Sequence, residues 1–254
     1  MAGRTPSKDK REVRADLEKR SADMAIETVS TAAEVTAFLD QANALQSKAS
    51  TAAPRGRLIF ALDATMSRQP TWDSACHIQA EMFQEADKIA GLVIKLVYFR
   101  GFNECRASRW FSDGRELASV MARINCQGGR TQIRKVLSAA LEEARRDKVS
   151  AVVYVGDCME ENVDELCARA GELGLLGVPL FLFQEGRNPD AEVAFREMAR
   201  LTKGAFCAFD QAAARQLADL LKAVAVYASG GHSALVSLEK SGHTGARLLI
   251  EQMK

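Results

Sequence analysis

The sequence lacks the marks of membrane, secreted and nucleic-acid-binding proteins. It has no apolar run long enough to cross a bilayer, and its first residues lack the apolar core of a signal peptide. The 34 Lys and Arg residues nearly balance the 33 Asp and Glu residues, and a net charge of +1 provides no general attraction for nucleic acid or an anionic membrane. We therefore expect a cytoplasmic protein that binds neither.

Ligands and motifs of common enzymes and zinc proteins are also scarce. There are only three His and six Cys, with no CxxC pair and no His at zinc-finger spacing. This argues against a structural zinc site, and we expect the thiols to be small buried apolar groups in a reducing compartment. Neither a P-loop signature nor a recognisable Ser/His/Asp arrangement occurs, so we expect no enzymatic activity.

What the sequence does contain is an alternation of short apolar runs and helical patterns. Runs too short for a helix predict buried strands at 58–62, 92–99, 151–155, 178–183 and 205–209. Helical periodicity predicts helices at 73–90, 116–124, 132–146, 163–173, 191–201 and 212–228. Arg106 and Arg109 within 105–111 indicate an exposed hairpin strand. We predict an α/β fold with a doubly wound, mostly parallel six-stranded sheet, one antiparallel edge strand and helices on both faces.

Composition divides the chain into four parts. Residues 1–30 are polar and predict a disordered or loosely helical lead. Residues 31–56 contain an N-terminal helix followed by a linker rich in Ser, Thr, Ala and Pro. The α/β domain covers 57–228, and 229–254 form a C-terminal tail with enough leucine to dock on the domain or to contact another protein.

Oxygen-bearing side chains follow the predicted strands in three motifs. They are Asp63-Ala64-Thr65-Met66-Ser67, Gly128-Gly129-Arg130-Thr131 and Gly156-Asp157. In an open parallel sheet, ligands bind beyond the carboxyl ends of the strands, where the strand order reverses. Two carboxylates and three hydroxyls suit a hard cation, and Mg²⁺ prefers six oxygen ligands with few carboxylates among them. The two adjacent glycines allow a close approach of the backbone.

The order D-x-T-x-S, G-G-x-T and G-D resembles the metal-ion-dependent adhesion site of von Willebrand factor A (VWA) domains, over residues 57–228. The similarity is greatest to the intracellular bacterial members, which also resemble this chain at Glu160-Glu161 and at 181–186. The family's first motif is usually D-x-S-x-S. Thr65 stands here in place of the first Ser and keeps its hydroxyl.

The resemblance implies a role for each residue of the site. Thr65 and Ser67 would bind the metal directly, and Thr131 would bind it directly or through water as the site switches. Asp63 and Asp157 would balance the charge. The remaining position would accept a Glu or Asp side chain of a partner protein. Mg²⁺ is the expected ion, with Mn²⁺ and Ca²⁺ as alternatives, and the partner would belong to an ATPase or chaperone-like assembly.

Residues near these motifs have two interpretations each. Trp72 is a surface anchor for a partner or packs over the metal loop. Gln184 and Glu185 line a partner groove or are solvated loop residues. Glu160 and Glu161 are expected in the first turn of a helix, where carboxylates favour the helix dipole.

Two functions from different classes fit the same sheet edge. The first is a cation-dependent protein-binding module. The second is a Mg²⁺-dependent phosphohydrolase or phosphotransfer enzyme, which would have a second acidic residue two places after Asp63. Because Thr65 occupies that place, the sequence favours the binding module.

Overall fold

The structure is a computed structural model that describes residues 56–72, 92–209 and 214–253. The elements, contacts and burial given below belong to these three ranges. The predictions for 1–55, including the N-terminal helix, and for the helix over 73–90 fall outside them.

Six strands of the described ranges form one sheet in the order β3-β2-β1-β4-β5-β6. All neighbours are parallel except β2 and β3. This confirms the predicted six-stranded sheet with one antiparallel edge strand. Strand β5 begins two residues later than predicted, after Pro179, which has no amide hydrogen to donate to a ladder. The strands are β1 (Gly56–Asp63), β2 (Leu92–Arg100), β3 (Glu104–Phe111), β4 (Ala151–Gly156), β5 (Leu180–Glu185) and β6 (Ala205–Phe209).

Within the described part of the chain, six helices connect or follow these strands, and none of them is long and apolar enough to span a membrane. The predicted helix that ends at 228 continues instead to Lys240, interrupted at Gly231, where φ is 68°. A backbone with this φ suits glycine because a side chain would be strained there. The helices are α1 (Gly114–Met121), α2 (Ile133–Arg146), α3 (Val163–Leu175), α4 (Pro189–Thr202), α5 (Ala214–Lys240) and α6 (Thr244–Gln252).

The core has two layers, one on each face of the sheet. Side chains alternate along a strand, so Phe60 packs with α1, α5 and α6, whereas Ile59 and Ala61 pack with α2, α3 and α4. All three are fully buried. The near-continuous apolar runs in the sequence arise because the central strands are covered on both faces, as the doubly wound fold predicted.

The C-terminal segment contributes to one of these layers. Leu235, Ala246 and Leu249 are fully buried in the cluster that contains α5 and the sheet. The side-chain amide oxygen of Gln252 accepts a hydrogen bond of 2.9 Å from the backbone amide of Phe206, on the edge strand β6. The segment therefore fills the core and occupies part of a strand edge that would otherwise be open to pairing.

Replacing Leu249 by Ala tests this contribution. Removing a fully buried leucine side chain should lower the free energy of unfolding by about 2–5 kcal/mol. Leu175 is 90% exposed, and Leu175→Ala should change it by less than about 0.5 kcal/mol. Urea unfolding followed by circular dichroism measures both. Equal, small losses would show that α6 is not part of the cooperative core.

Candidate metal centre

The chain reverses direction across the sheet between β1 and β4. Strand β1 leads outward to β2 on one side, and β4 leads to β5 on the other. Pairing of Leu62 with Val155 aligns the carboxyl ends of the two strands. Asp63 ends β1, and Asp157 directly follows β4. The two carboxylates therefore lie side by side at the position where open α/β sheets bind ligands.

Asp63, Asp157 and Cys158 offer ligand atoms that all lie within 4.8 Å of one another. Asp63 is fully buried. Its Oδ2 atom and Oδ1 of Asp157 are buried and have no hydrogen-bond partner among the described residues. Buried carboxylate oxygens are normally paired or bound to a metal, because leaving them without a partner is costly. These orphaned oxygens fit the charge of a cation.

The first motif folds into a tight turn over the end of β1. Oδ1 of Asp63 accepts a hydrogen bond of 2.8 Å from the Thr65 amide, and a short 3₁₀ turn follows at Met66–Arg68. The hydroxyl oxygens of Thr65 and Ser67 are 3.0 Å apart. Adjacent oxygens around Mg²⁺, at a metal distance of about 2.1 Å, are separated by about 3.0 Å. This turn thus holds its two hydroxyls at a spacing that suits neighbouring metal ligands.

The second motif lies on a loop that crosses the ends of β1 and β2. The amide of Gln127 donates to the carbonyl of Ala64 at 3.0 Å. Gly129 packs against the backbone of Gly101, and a Cβ atom at Gly129 would be only 1.9 Å from the Gly101 carbonyl oxygen. Gly128, in contrast, has open space around it. The close approach expected of the glycine pair is therefore made by Gly129 alone.

Thr131 is held against the loop that follows Asp157. Its hydroxyl oxygen accepts a hydrogen bond of 3.0 Å from the Glu160 amide, and its own amide donates to Oε2 of Glu160 at 3.1 Å. Thr131 is buried. These reciprocal bonds join the second motif to the third, three residues beyond Asp157.

The sequence predicted that Glu160 and Glu161 lie in the first turn of the helix that follows them. This prediction is wrong, because α3 begins at Val163. The carboxylate of Glu161 instead accepts hydrogen bonds from the amides of Ile133, at 2.6 Å, and Arg134, at 2.9 Å, in the first turn of α2. The N-cap residue of α2, Gln132, makes no side-chain cap. The free amides and the dipole of α2 therefore attract a carboxylate from another loop, while Asn162 caps α3.

Solved structures of low sequence identity share this fold. The SpRpn10 VWA domain is 12% identical, with a TM-score of 0.51 over 69% of this chain and 97% of that domain. The vWF domain of the type V pili tip protein Mfa5 from Porphyromonas gingivalis is 10% identical, with a TM-score of 0.53 over 69% of this chain and 95% of that domain. Proximal thread matrix protein 1 from the mussel byssus is 15% identical, with a TM-score of 0.54 over 70% of this chain and 49% of that protein. No family model and no curated protein matches the sequence.

This chain has the von Willebrand factor A fold. The fold predicted from the motifs is thereby confirmed. At 10–15% identity, the comparisons show the fold alone, so the chemistry of the site depends on this chain's own residues.

A buried ion pair supports the first motif of this VWA fold. Arg68 is 1% exposed, and its Nε lies 2.7 Å from Oε2 of Glu185, which is 5% exposed. The contact is an ion pair without hydrogen-bond geometry, and none of the three guanidinium nitrogens of Arg68 has a hydrogen-bond partner among the described residues. Removing either member of such a pair leaves an unpaired buried charge, which typically costs about 3–5 kcal/mol. The pair ties the loop after β1 to the end of β5.

The three residues proposed from sequence to bind a partner are all buried. Trp72 is 4% exposed, and its indole nitrogen donates to the Ile124 carbonyl at 2.8 Å, so it packs within the domain and is not a surface anchor. Gln184 is 1% exposed and donates to the Asn188 carbonyl at 2.9 Å. Glu185 is 5% exposed and forms the buried ion pair with Arg68. Because their side chains are buried, the structure does not place these three residues on an exposed surface that a partner could contact.

Burial dominates the electrostatics of the site. Desolvation, together with the nearby Asp157 carboxylate, raises the pKa of Asp63 to about 6, although the Thr65 hydrogen bonds and Arg68 oppose the rise. Burial, Asp157 and Asp63 raise the pKa of Cys158 to about 12. Burial also raises the pKa of Tyr154 well above its usual value. A dication would reverse the charge that these groups experience.

Sequence reasoning missed Cys158 and Arg68. The thiols were all expected to be apolar core groups, and Arg68 carried no motif. One signal for each was their position, since Cys158 directly follows Asp157 and Arg68 directly follows Ser67. Tyr154 was also missed. The Tyr154 hydroxyl is buried beside Gly156. A Cβ atom at position 156 would lie only 2.3 Å from this hydroxyl oxygen, so glycine is the residue that fits before Asp157.

The glycine pair provides a matched test of the loop geometry. Gly129→Ala should lower the free energy of unfolding by about 1–3 kcal/mol, because its Cβ would collide with the Gly101 backbone. Gly128→Ala meets no atom within 4 Å, and it should leave stability unchanged or raise it by up to about 1 kcal/mol. Chemical unfolding of both variants measures the difference. A similar effect at the two positions would contradict the close approach.

The raised pKa of Asp63 predicts a pH dependence in metal-free protein. The folded chain holds this proton more tightly than the unfolded chain, whose Asp pKa is about 3.9, so the stabilising contribution is present at low pH. It is lost as pH rises through about 6, by an amount on the order of 3 kcal/mol.

The control is Asp63→Asn, which keeps an oxygen to accept from the Thr65 amide. In EDTA, unfolding free energies are measured from about pH 4 to pH 7 for both proteins. The difference should grow in favour of the Asn variant as pH rises. A difference that stays constant over this range would rule out Asp63 as the titrating group.

Proposed function

We propose that this chain is a divalent-cation-dependent protein-binding module that coordinates an acidic side chain of a partner. One observation carries the proposal. Asp63 and Asp157 bring carboxylate oxygens within 4.8 Å of each other, and each has a buried oxygen without a hydrogen-bond partner among the described residues. The VWA fold supports an interaction role at this sheet edge.

Mg²⁺ is the ion proposed for this centre, with Mn²⁺ and Ca²⁺ as alternatives. Thr65 and Ser67 would bind the ion directly. Thr131 would bind it either directly or through a water molecule, depending on the state of the site. The two carboxylates supply charges that nearly neutralise a dication, while the neutral hydroxyls leave it electrophilic toward another anion. A partner carboxylate in the remaining position would add a charge-assisted contact.

The solvent side of the centre is open to a partner. Ser67 is exposed, and Met66 beside it is 52% exposed. A groove of about 430 Å³ begins at Thr131 and runs between the β2–β3 turn and the first turns of α2 and α3. Phe102, 79% exposed, and the exposed Arg130 line it. These features suit a segment that carries apolar and acidic side chains.

The setting proposed for this module is the cytoplasm, in an assembly with an ATPase or chaperone-like protein. Its support is the resemblance of the three motifs to intracellular bacterial VWA proteins. The alternative, a Mg²⁺-dependent phosphohydrolase or phosphotransfer enzyme, would need a second acidic residue two places after Asp63. This chain has Thr65 there, and its hydroxyl lies 3.0 Å from that of Ser67.

Thermal melts test the metal centre directly. The midpoint should rise with Mg²⁺ or Mn²⁺ relative to EDTA, since an ion at a hundred times its Kd adds about 2.7 kcal/mol to stability. Asp63→Ala and Asp157→Ala should fold and lose the rise. Asp190→Asn removes an exposed carboxylate from the first turn of α4 and should retain it. A full rise in both alanine variants would contradict the assignment.

The same variants test partner binding. Protein captured on the immobilised chain in Mg²⁺ should be released by EDTA and should be absent with Asp63→Ala. Replacing single Glu or Asp residues of that partner by Gln or Asn should identify one residue whose loss abolishes capture. Capture that survives both EDTA and Asp63→Ala would mean that binding does not pass through the metal.

A further inference from the structure

We propose that Cys158 is a ligand of this centre, so that the site binds a thiophilic divalent ion such as Zn²⁺ or Co²⁺ more tightly than Mg²⁺. This inference rests on the metal centre proposed above and changes its ion. The donor set becomes two carboxylates and a sulfur, with the hydroxyls of the first motif beside them.

The geometry places the sulfur among the carboxylates. Cys158 directly follows Asp157, and its Sγ is within 4.8 Å of a carboxylate oxygen of both Asp63 and Asp157. Ligands that share one Zn²⁺ at about 2.0–2.3 Å are separated by about 3.5 Å. A movement on the order of 1 Å therefore brings all three onto one ion. Asp63 is fully buried, and its Oδ2 has no hydrogen-bond partner among the described residues, so this oxygen is available to a bound ion.

Cys158 differs from the other cysteines that the structure describes. Cys126 and Cys207 are buried members of the hydrophobic core, and Cys105 and Cys167 pack against it. Cys158 belongs to neither core cluster and instead joins the two carboxylates. The expectation that thiols serve as apolar filling thus fits these four, whereas Cys158 has the surroundings of a ligand.

Ion preference follows from the chemistry of the donors. Thiolate sulfur favours Zn²⁺ and Co²⁺ over Mg²⁺, which prefers oxygen ligands. On binding, the S–H bond breaks, a metal–sulfur bond forms and the proton passes to solvent. The dication offsets the negative charge of the neighbouring carboxylates, and no oxidant or reductant takes part.

Cobalt titration of the full chain tests the proposal, because a thiolate bound to Co²⁺ gives a near-ultraviolet charge-transfer band that oxygen ligands do not give. One equivalent of Co²⁺ should produce the band, and Zn²⁺ should displace it. Cys158→Ser should abolish the band and weaken Zn²⁺ binding at least tenfold, roughly the loss that even an outer-shell partner causes. Cys167→Ser, which removes a half-buried thiol on α3, should leave both unchanged.

The Asp63→Asn variant tests whether the ion is bound by the carboxylates and Cys158 together or by the Cys158 thiol alone. It should weaken Co²⁺ binding as well, since a sulfur that bound the ion by itself would keep its affinity. Circular dichroism checks that each variant folds, and Cys158→Ala serves as the second variant if Cys158→Ser does not. Mg²⁺ affinity, measured by calorimetry, should change less than about twofold in the Ser variant, which keeps a small oxygen-bearing side chain.

The outcomes distinguish this inference from the proposed function. A wild-type protein that binds Mg²⁺ but shows no sulfur–cobalt band, or a band that persists in Cys158→Ser, overturns the role of Cys158 and leaves the Mg²⁺ module standing. A wild-type protein that binds none of these ions overturns both. A band lost only in Cys158→Ser and weakened in Asp63→Asn supports the mixed site.

Discussion

Two carboxylates are forced together at the ends of β1 and β4, and much of the surrounding structure responds to that constraint. The parallel pairing of these strands places Asp63 and Asp157 at the same edge of the sheet, and the burial of Asp63 removes water that would screen its charge. Burial raises the pKa of Asp63, and the Asp157 charge adds a smaller contribution in the same direction. A dication between the two would turn the same proximity into a favourable interaction, so the constraint and the proposed function have one physical origin.

The neighbouring loops are arranged to hold this unfavourable geometry. The Thr65 amide donates to Asp63, and Arg68 brings a buried positive charge to the same loop while it pairs with Glu185. On the other side, Glu160 and Glu161 bind the Thr131 loop through its free backbone amides. These contacts cross between elements far apart in the chain, so the site is supported from β1, α2, β4 and β5 together.

Sequence patterns predicted the fold with few errors. Continuous apolar runs identified strands covered on both faces, and the arginine-rich segment identified the antiparallel edge strand β3. Errors arose where a polar residue had two interpretations. Trp72, Gln184 and Glu185 lie near the predicted site in the sequence, yet their side chains are buried, and burial is a property that local sequence does not carry. Cys158 was assigned to the core by residue type, although its neighbours in space are carboxylates.

Periodicity alone determined the strand and helix order, because side-chain alternation depends only on nearby residues and on which faces are covered. The carboxylates after β1 and β4 were likewise evident, since parallel strands in such a sheet end at the same edge. Only the tertiary structure decided which residues meet there. The Arg68–Glu185 pair joins residues 117 positions apart. The carboxylate of Glu161 caps a helix whose first residue is 28 positions earlier. Cys158 lies near Asp63 because their strands, β4 and β1, are neighbours in the sheet. Such contacts depend on the packing of distant segments, which no local pattern encodes.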